Sequence, residues 1–252
     1  MPDITVTAHD GIELAVRDHG GDGPDVLFLH GATRTLEDWA PVVQRLSGVR
    51  AVAMDLRMHG RSGVPEAIEW EDFVHDVGAV VDTLALSEPV VVGHSFGGVL
   101  AMAYAAARHG CRGAVNVDGF DFRQRELFDE LDPAEVDRFL EGFRIGSDNF
   151  ITPDAGDDAW LEDQRRMIAG IDAAWKIPDD VSASSFERTF VRTADGWARR
   201  PPNSFFDKTN AGLWSDPLAI LRQVTCPAVY VVCRPPDESG MFAAARAGLE
   251  RH

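Results

Sequence analysis

A serine that works as a nucleophile needs a turn that exposes it, amides facing the developing oxyanion and a base within reach. The stretch VVVGHSFGG, Val90 to Gly98, offers the first two around Ser95. Gly93 to Gly97 match G-x-S-x-G, with an apolar run before the motif and a small-residue run after it. That is the strand–turn–helix context in which the serine sits on a tight elbow and its hydroxyl points off the sheet. The helix that starts next turns its positive end toward the site, and the N–H of Phe96 then faces the oxyanion of an attacked carbonyl. The plainer alternative is a buried serine in a tight turn.

The other chemistry-bearing residues are less organised. His9, His19, His75 and His109 read as solvated positions in turns or on helix faces, and His59 as structural. No two histidines stand at metal-ligand spacing along the chain, so no metal is expected. Cys111, Cys226 and Cys233 form no CxxC and read as free thiols in a reducing compartment. GGDGPD is glycine-rich but lacks the Lys and Ser/Thr of a phosphate loop.

Elements that could position Ser95 follow from hydrophobic pattern. ITVTAHDGIELAVRD predicts two strands around a turn at Asp10–Gly11. VLFLHG, VRAVAMD, PVVVGHS, GAVNVDG and CPAVYVVC are short continuous apolar runs, as in parallel strands buried on both faces. Between them, TLEDWAPVVQRLSG predicts a helix with Thr35 and Asp38 at capping-box spacing and Gly48 as its stop. WEDFVHDVGAVVDTLAL predicts a second helix, with Phe73, Val77, Val80, Val81 and Leu84 on its apolar side. GGVLAMAYAAARHG predicts a third, of small residues that let it sit close to a sheet, and MFAAARAGLERH predicts a last one. The alternation implies an α/β fold with a mainly parallel sheet. It is interrupted from 120 to 216 by a helical stretch without buried-strand pattern. The expected organisation is therefore a core of 1–119 and 217–252 with a helical insertion at 120–216.

Bulk properties limit the partners. A formal net charge of -17 over 252 residues opposes binding to phosphate backbones or anionic membrane surfaces. The start, MPDITVTAHDG, has no basic segment followed by an apolar run, and no apolar run is long enough to span a bilayer. A cytoplasmic protein that binds neither nucleic acid nor membrane is expected.

Three motifs, in order and on suitable elements, resemble those of the α/β-hydrolase family. LHGAT is similar to the family's His-Gly turn, DLRMHGRS to its D-x-R-G-H-G-x-S loop with Met58 at a usual glycine, and GHSFGG to its nucleophile elbow. The resemblance runs along nearly the whole chain. It implies that the N–H of Ala32 is the second oxyanion donor, that His30 braces its loop, and that 120–216 is a cap. Some of the cap's aromatics would line an apolar pocket over Ser95. They are Phe120, Phe122, Phe128, Phe139, Phe143, Phe150, Phe186, Phe190, Phe205, Phe206, Trp160, Trp175, Trp197 and Trp214. It also implies an acid, either Asp118 in VNVDG or Asp237 in CRPPDES, with Asp118 favoured because paired prolines replace the usual turn before Asp237.

The family's base is a histidine on a loop beyond the last strand, and no such segment follows Val232. The elbow is expected to turn His94 away from Ser95, and His252 is terminal. The expectation is a chain that ends before the final strand and histidine loop, with an exposed sheet edge prone to self-association. The function implied is hydrolysis of carboxylic esters or related acyl compounds, without a cofactor and on an apolar small-molecule substrate. Activity would be impaired if the base is lacking. A non-catalytic ligand-binding protein and a cofactor-free perhydrolase are the alternatives. A serine in place of an aspartate nucleophile argues against dehalogenase and most epoxide-hydrolase chemistry.

Overall fold

In the computed structural model the described residues are 1–107, 110–119, 128–148, 153–208, 217–233, 240, 243–244 and 247–248. The chain opens with β1 (Ile4–Thr7) and β2 (Glu13–Asp18), paired antiparallel. β3 (Asp25–Leu29) follows, then a 3-10 turn at Leu36–Trp39 that runs into the four-residue α1 (Ala40–Val43). Next come β4 (Arg50–Met54), α2 (Trp70–Thr83), β5 (Val90–His94), α3 (Phe96–Ala107) and β6 (Gly113–Val117). After β6 lie α4 (Pro133–Asp148), β7 (Ala155–Gly156), α5 (Asp158–Ala174) and α6 (Asp179–Thr189). They are followed by β8 (Phe190–Thr193), β9 (Gly196–Arg199), α7 (Asn203–Lys208), α8 (Pro217–Leu221) and β10 (Ala228–Val231).

The main sheet runs β1-β2-β4-β3-β5-β6-β10, parallel from β4 to β10. This is the expected α/β architecture. β3 leads outward to β4 on one side, while β5 leads to β6 on the other. The strand order therefore reverses at the carboxyl ends of β3 and β5, where α/β sheets leave a crevice for ligands. α2 and α3 pack against each other, with Phe73, Val77, Val80, Phe96, Leu100 and Ala101 in the core. α3 is buried from Phe96 to Ala105, as its alanines and glycines require for close approach to a strand.

Four local expectations change. The helix predicted from Thr35 to Gly48 is reduced to one α-turn: Pro41 stands in its first turn, where a missing N–H is tolerated, and beyond Val43 the bonds tighten to Arg45 N–H on the Val42 carbonyl and Leu46 N–H on the Val43 carbonyl. Thr35 caps the 3-10 turn by accepting from the Glu37 N–H, but Asp38 binds the Arg34 guanidinium and does not close a capping box. The segment between β6 and β10 is not purely helical, because β7, β9 and β8 form a small antiparallel sheet. Its strands are too short and too exposed to show a buried pattern in sequence. Finally, β10 is not buried on both faces: Val229 and Val231 are 53% and 44% exposed. Among the described residues β10 pairs with β6 alone. The last predicted helix falls mostly outside the described residues.

Candidate active site

Ser95 occupies the first position after β5, with φ of 50°. A side chain in that left-handed region is strained, and the surroundings hold it there. The Ser95 N–H donates to the Val117 carbonyl (2.9 Å), and the Ser95 carbonyl accepts from Gly98 N–H (2.8 Å) and Val99 N–H (3.2 Å). Glycines make the turn fit. A Cβ on Gly93 would stand 1.9 Å from the Gly97 carbonyl oxygen, and one on Gly97 would stand 2.4 Å from that of Leu29.

The turn after β3 meets this elbow. A Cβ on Gly31 would lie 3.3 Å from Ser95 Cβ and 3.0 Å from His94 Nδ1, so the His30–Ala32 backbone borders the candidate nucleophile directly. Ala32 is partly buried there, and Phe96 begins α3. The elbow is expected to turn His94 away from Ser95; the His94 ring borders the Gly31 turn, with Nδ1 3.0 Å from where a Gly31 Cβ would stand. Burial pushes its pKa down, while the Asp38 and Asp118 carboxylates oppose that shift.

His30 and His59 brace the loops. The His30 Nδ1–H donates to the Gly31 carbonyl (2.7 Å), and its Nε2 accepts from Leu56 N–H (3.0 Å). The His59 Nδ1–H donates to the Arg57 carbonyl (3.0 Å). A carbonyl only accepts and an amide only donates, so His30 is fixed as the neutral Nδ1–H tautomer. Burial pushes both rings down to about 3, which removes them from the candidates for a base near neutral pH.

Asp118 stands on the loop after β6, also with a positive φ, 55°. Its N–H donates to the Val231 carbonyl (2.7 Å), and its Oδ1 accepts from the Cys233 N–H (2.9 Å). Asn116, fully buried, grips the same loop: its Nδ2–H donates to the Gly119 carbonyl (2.6 Å) and its Oδ1 accepts from Gly119 N–H (2.7 Å). A Cβ on Gly98 would stand 2.3 Å from Asn116 Oδ1, and one on Gly119 would stand 2.3 Å from the Ser95 carbonyl oxygen. Elbow and Asp118 loop therefore touch through two glycines and one amide. The signal for Asn116 was present as a polar residue inside an apolar strand. Asp237 and His252 lie outside the described residues.

Of the aromatics between β6 and β10, Phe205 reaches this region. Its ring packs edge-on against Phe96 (5.4 Å), His59 (4.7 Å) and Phe73 (6.3 Å). Phe186, Phe190 and Trp160 pack on one another instead, and Phe128 packs on Phe139. Phe120, Phe122, Phe150 and Trp214 lie outside the described residues. Two ion clusters bind this segment to the sheet. Arg34 bridges Asp38 (2.6 Å) and Asp172 of α5 (3.0 Å). Arg188 of α6 bridges Asp55 (2.5 Å) and Asp3 (2.7 Å).

Residues 26–250 match the model of the Alpha/beta hydrolase family. The chain belongs to this family. A 2-(acetamidomethylene)succinate hydrolase of Mesorhizobium japonicum is 30% identical over 245 residues, 95% of this chain and 80% of that protein. The crystal structure of an E-2-(acetamidomethylene)succinate hydrolase superposes with a TM-score of 0.73 at 27% identity, covering 99% of this chain and 86% of that one. A bifunctional esterase/perhydrolase of Acinetobacter calcoaceticus is 40% identical over 108 residues, but that match spans only 41% of this chain and 39% of that protein. The α/β hydrolase described here is thus related to hydrolases, esterases and perhydrolases. Among its described residues, no helix is long and apolar enough to cross a membrane.

Proposed function

We propose that this α/β hydrolase is a serine hydrolase acting on carboxylic esters or related acyl compounds. Ser95 Oγ bonds to the substrate carbonyl carbon while the Phe96 and Ala32 N–H groups hold the oxyanion. The alcohol or amine leaves with a proton, and water then cleaves the acyl-enzyme to the free acid. Asp118 is the acid of the site, with Asp237 as the alternative. No cofactor is needed.

The observation that carries this reading is the strained Ser95 at the head of α3, with the Gly31 turn against its Cβ. Strain of this kind persists where the surroundings over-determine it, and it clusters at active sites. The segment 120–216 acts as the cap over 1–119 and 217–252, with Phe205 as its apolar contact to the site. A small, apolar acyl substrate and a cytoplasmic setting are part of the same proposal. The base is the open position. His30 and His59 are held neutral by burial, which leaves His94, whose ring lies beside the Gly31 turn, as the described histidine to test.

The test is hydrolysis of p-nitrophenyl acetate and butyrate by the purified chain, alongside Ser95→Ala and His94→Gln. Turnover that falls by several orders of magnitude in Ser95→Ala supports the reading; what remains should be on the order of 10³-fold over water. Turnover unchanged in Ser95→Ala overturns it. N-acyl amides belong in the same panel, because the Mesorhizobium japonicum relative is named for such a substrate. Tight binding of an apolar acid with no turnover in either protein would favour a non-catalytic binding protein. A perhydrolase reading is favoured by the Acinetobacter calcoaceticus relative, and peroxide-dependent peracid formation from acetate would establish it.

A further inference from the structure

Far from Ser95 in the chain, His9 and His75 meet. His9 lies on the turn between β1 and β2, and Asp72 and His75 stand three residues apart on one face of α2. His9 Nε2 is 3.4 Å from Asp72 Oδ1, and the two imidazole rings are 4.8 Å apart at 74°. The donor atoms of all three residues lie within 4.8 Å of one another. We infer that His9, Asp72 and His75 form a surface site for a divalent transition ion of the zinc class.

Geometry favours this reading over an ordinary His–Asp contact. Bonds of about 2.0–2.1 Å in a tetrahedron place donors about 3.4 Å apart. The His9–Asp72 pair already stands at that separation, and rotation of an exposed imidazole closes the rest. Two imidazoles and one carboxylate suit zinc, copper or nickel better than magnesium or calcium, which want oxygen alone. The carboxylate is also oriented from behind. Asp72 Oδ2 accepts from the Glu69 N–H (2.8 Å) and lies 3.4 Å from Arg57 Nη1, leaving Oδ1 toward the histidines. Such outer contacts are how proteins aim metal ligands.

Charge points the same way. Arg57 is the cation behind the cluster, but Asp76 holds it through both oxygens at 2.6 Å and Asp10 holds it at 3.1 Å. Three carboxylates against one guanidinium leave two negative charges, the complement of one divalent ion. The ion would pin the β1–β2 turn to α2 and leave a fourth position for water.

The test uses the full chain, stripped with a chelator and titrated with zinc chloride by calorimetry, with thermal unfolding in parallel. One zinc per chain is expected, with a Tm rise of about 5 °C at 100 times the Kd. His9→Ala and His75→Ala, both at exposed positions, should each abolish the stoichiometric binding and the Tm rise. Cobalt substitution should give a four-coordinate absorption without a thiolate charge-transfer band. Three results would each overturn the assignment: no saturable zinc binding, wild-type binding retained in both histidine variants, or a thiolate band that places the ion on a cysteine.

Discussion

Acidification from pH 7.5 to 5 should destabilise this hydrolase by about 4 kcal/mol, through His30 and His59. Both rings are fully buried, and folding pushes their pKa from 6.5 down to about 3. For His30, the Arg188 and Arg34 guanidiniums also disfavour a cation, and a proton on Nε2 would break its bond from Leu56 N–H. For His59, His30 disfavours the cation and Asp55 opposes that effect weakly. A group whose folded pKa lies below its unfolded one gives stability that is fully present above the unfolded pKa. It is lost as the pH falls toward the folded value. The window here runs from 6.5 down to about 3. Each ring costs about 1.4 kcal/mol per pH unit within it, so two rings cost about 4 kcal/mol at pH 5. That is a large part of a typical stability of about 5–15 kcal/mol. Asp3, Asp10 and Asp18 are held below 3.8 through hydrogen bonds and arginine charges that outweigh burial, so they stay ionised across this range. Urea unfolding followed by circular dichroism at pH 7.5, 6.5 and 5 measures the effect as a falling midpoint. His59→Leu fits the site, because Nε2 has no partner among the described residues. It should remove about 2 kcal/mol of the pH dependence. An equal midpoint at pH 7.5 and 5, or an undiminished slope in His59→Leu, would refute the reasoning.

Gly98→Ala drives a methyl into Asn116 Oδ1 and should cost about 1–3 kcal/mol in thermal or urea unfolding, with any Ser95-dependent esterase turnover falling as well. Arg188→Met leaves Asp55 buried without its cation and should cost about 3–5 kcal/mol, read by the same denaturation assay. Asp118→Asn should lower kcat without unfolding the chain, whereas an unchanged kcat would shift the role of acid to Asp237. β10, whose only partner among the described residues is β6 and whose Val229 and Val231 are exposed, should make the chain self-associate. Size-exclusion elution should shift with concentration and return to monomer in Val229→Lys, while a sharp monomer peak at high concentration would refute it.

Apolar runs of four to six residues with helical periods between them are a local property. They set the parallel strands β3 to β6 and helices α2 and α3 in the sequence itself. The elbow at Ser95 was equally legible as a motif, although only Gly93 is dictated by a clash within a few residues, while Gly97 and Gly98 are dictated by Leu29 and Asn116. Pairings between distant segments were not legible. Asn116 meets Gly98 only after β6 has packed beside β5, and Arg34 and Arg188 find Asp172 and Asp55 only after the segment beyond β6 folds back. His9 and His75 carry no shared spacing along the chain, yet packing of the β1–β2 turn on α2 brings their rings to 4.8 Å. The exposure of β10 likewise depends on which strands flank it, since an apolar run reads the same at a sheet's edge as at its centre. Hydrophobic pattern depends on neighbours in sequence and so fixes the elements. Ion pairs, loop clamps and edges depend on neighbours in space and were settled only by the tertiary fold.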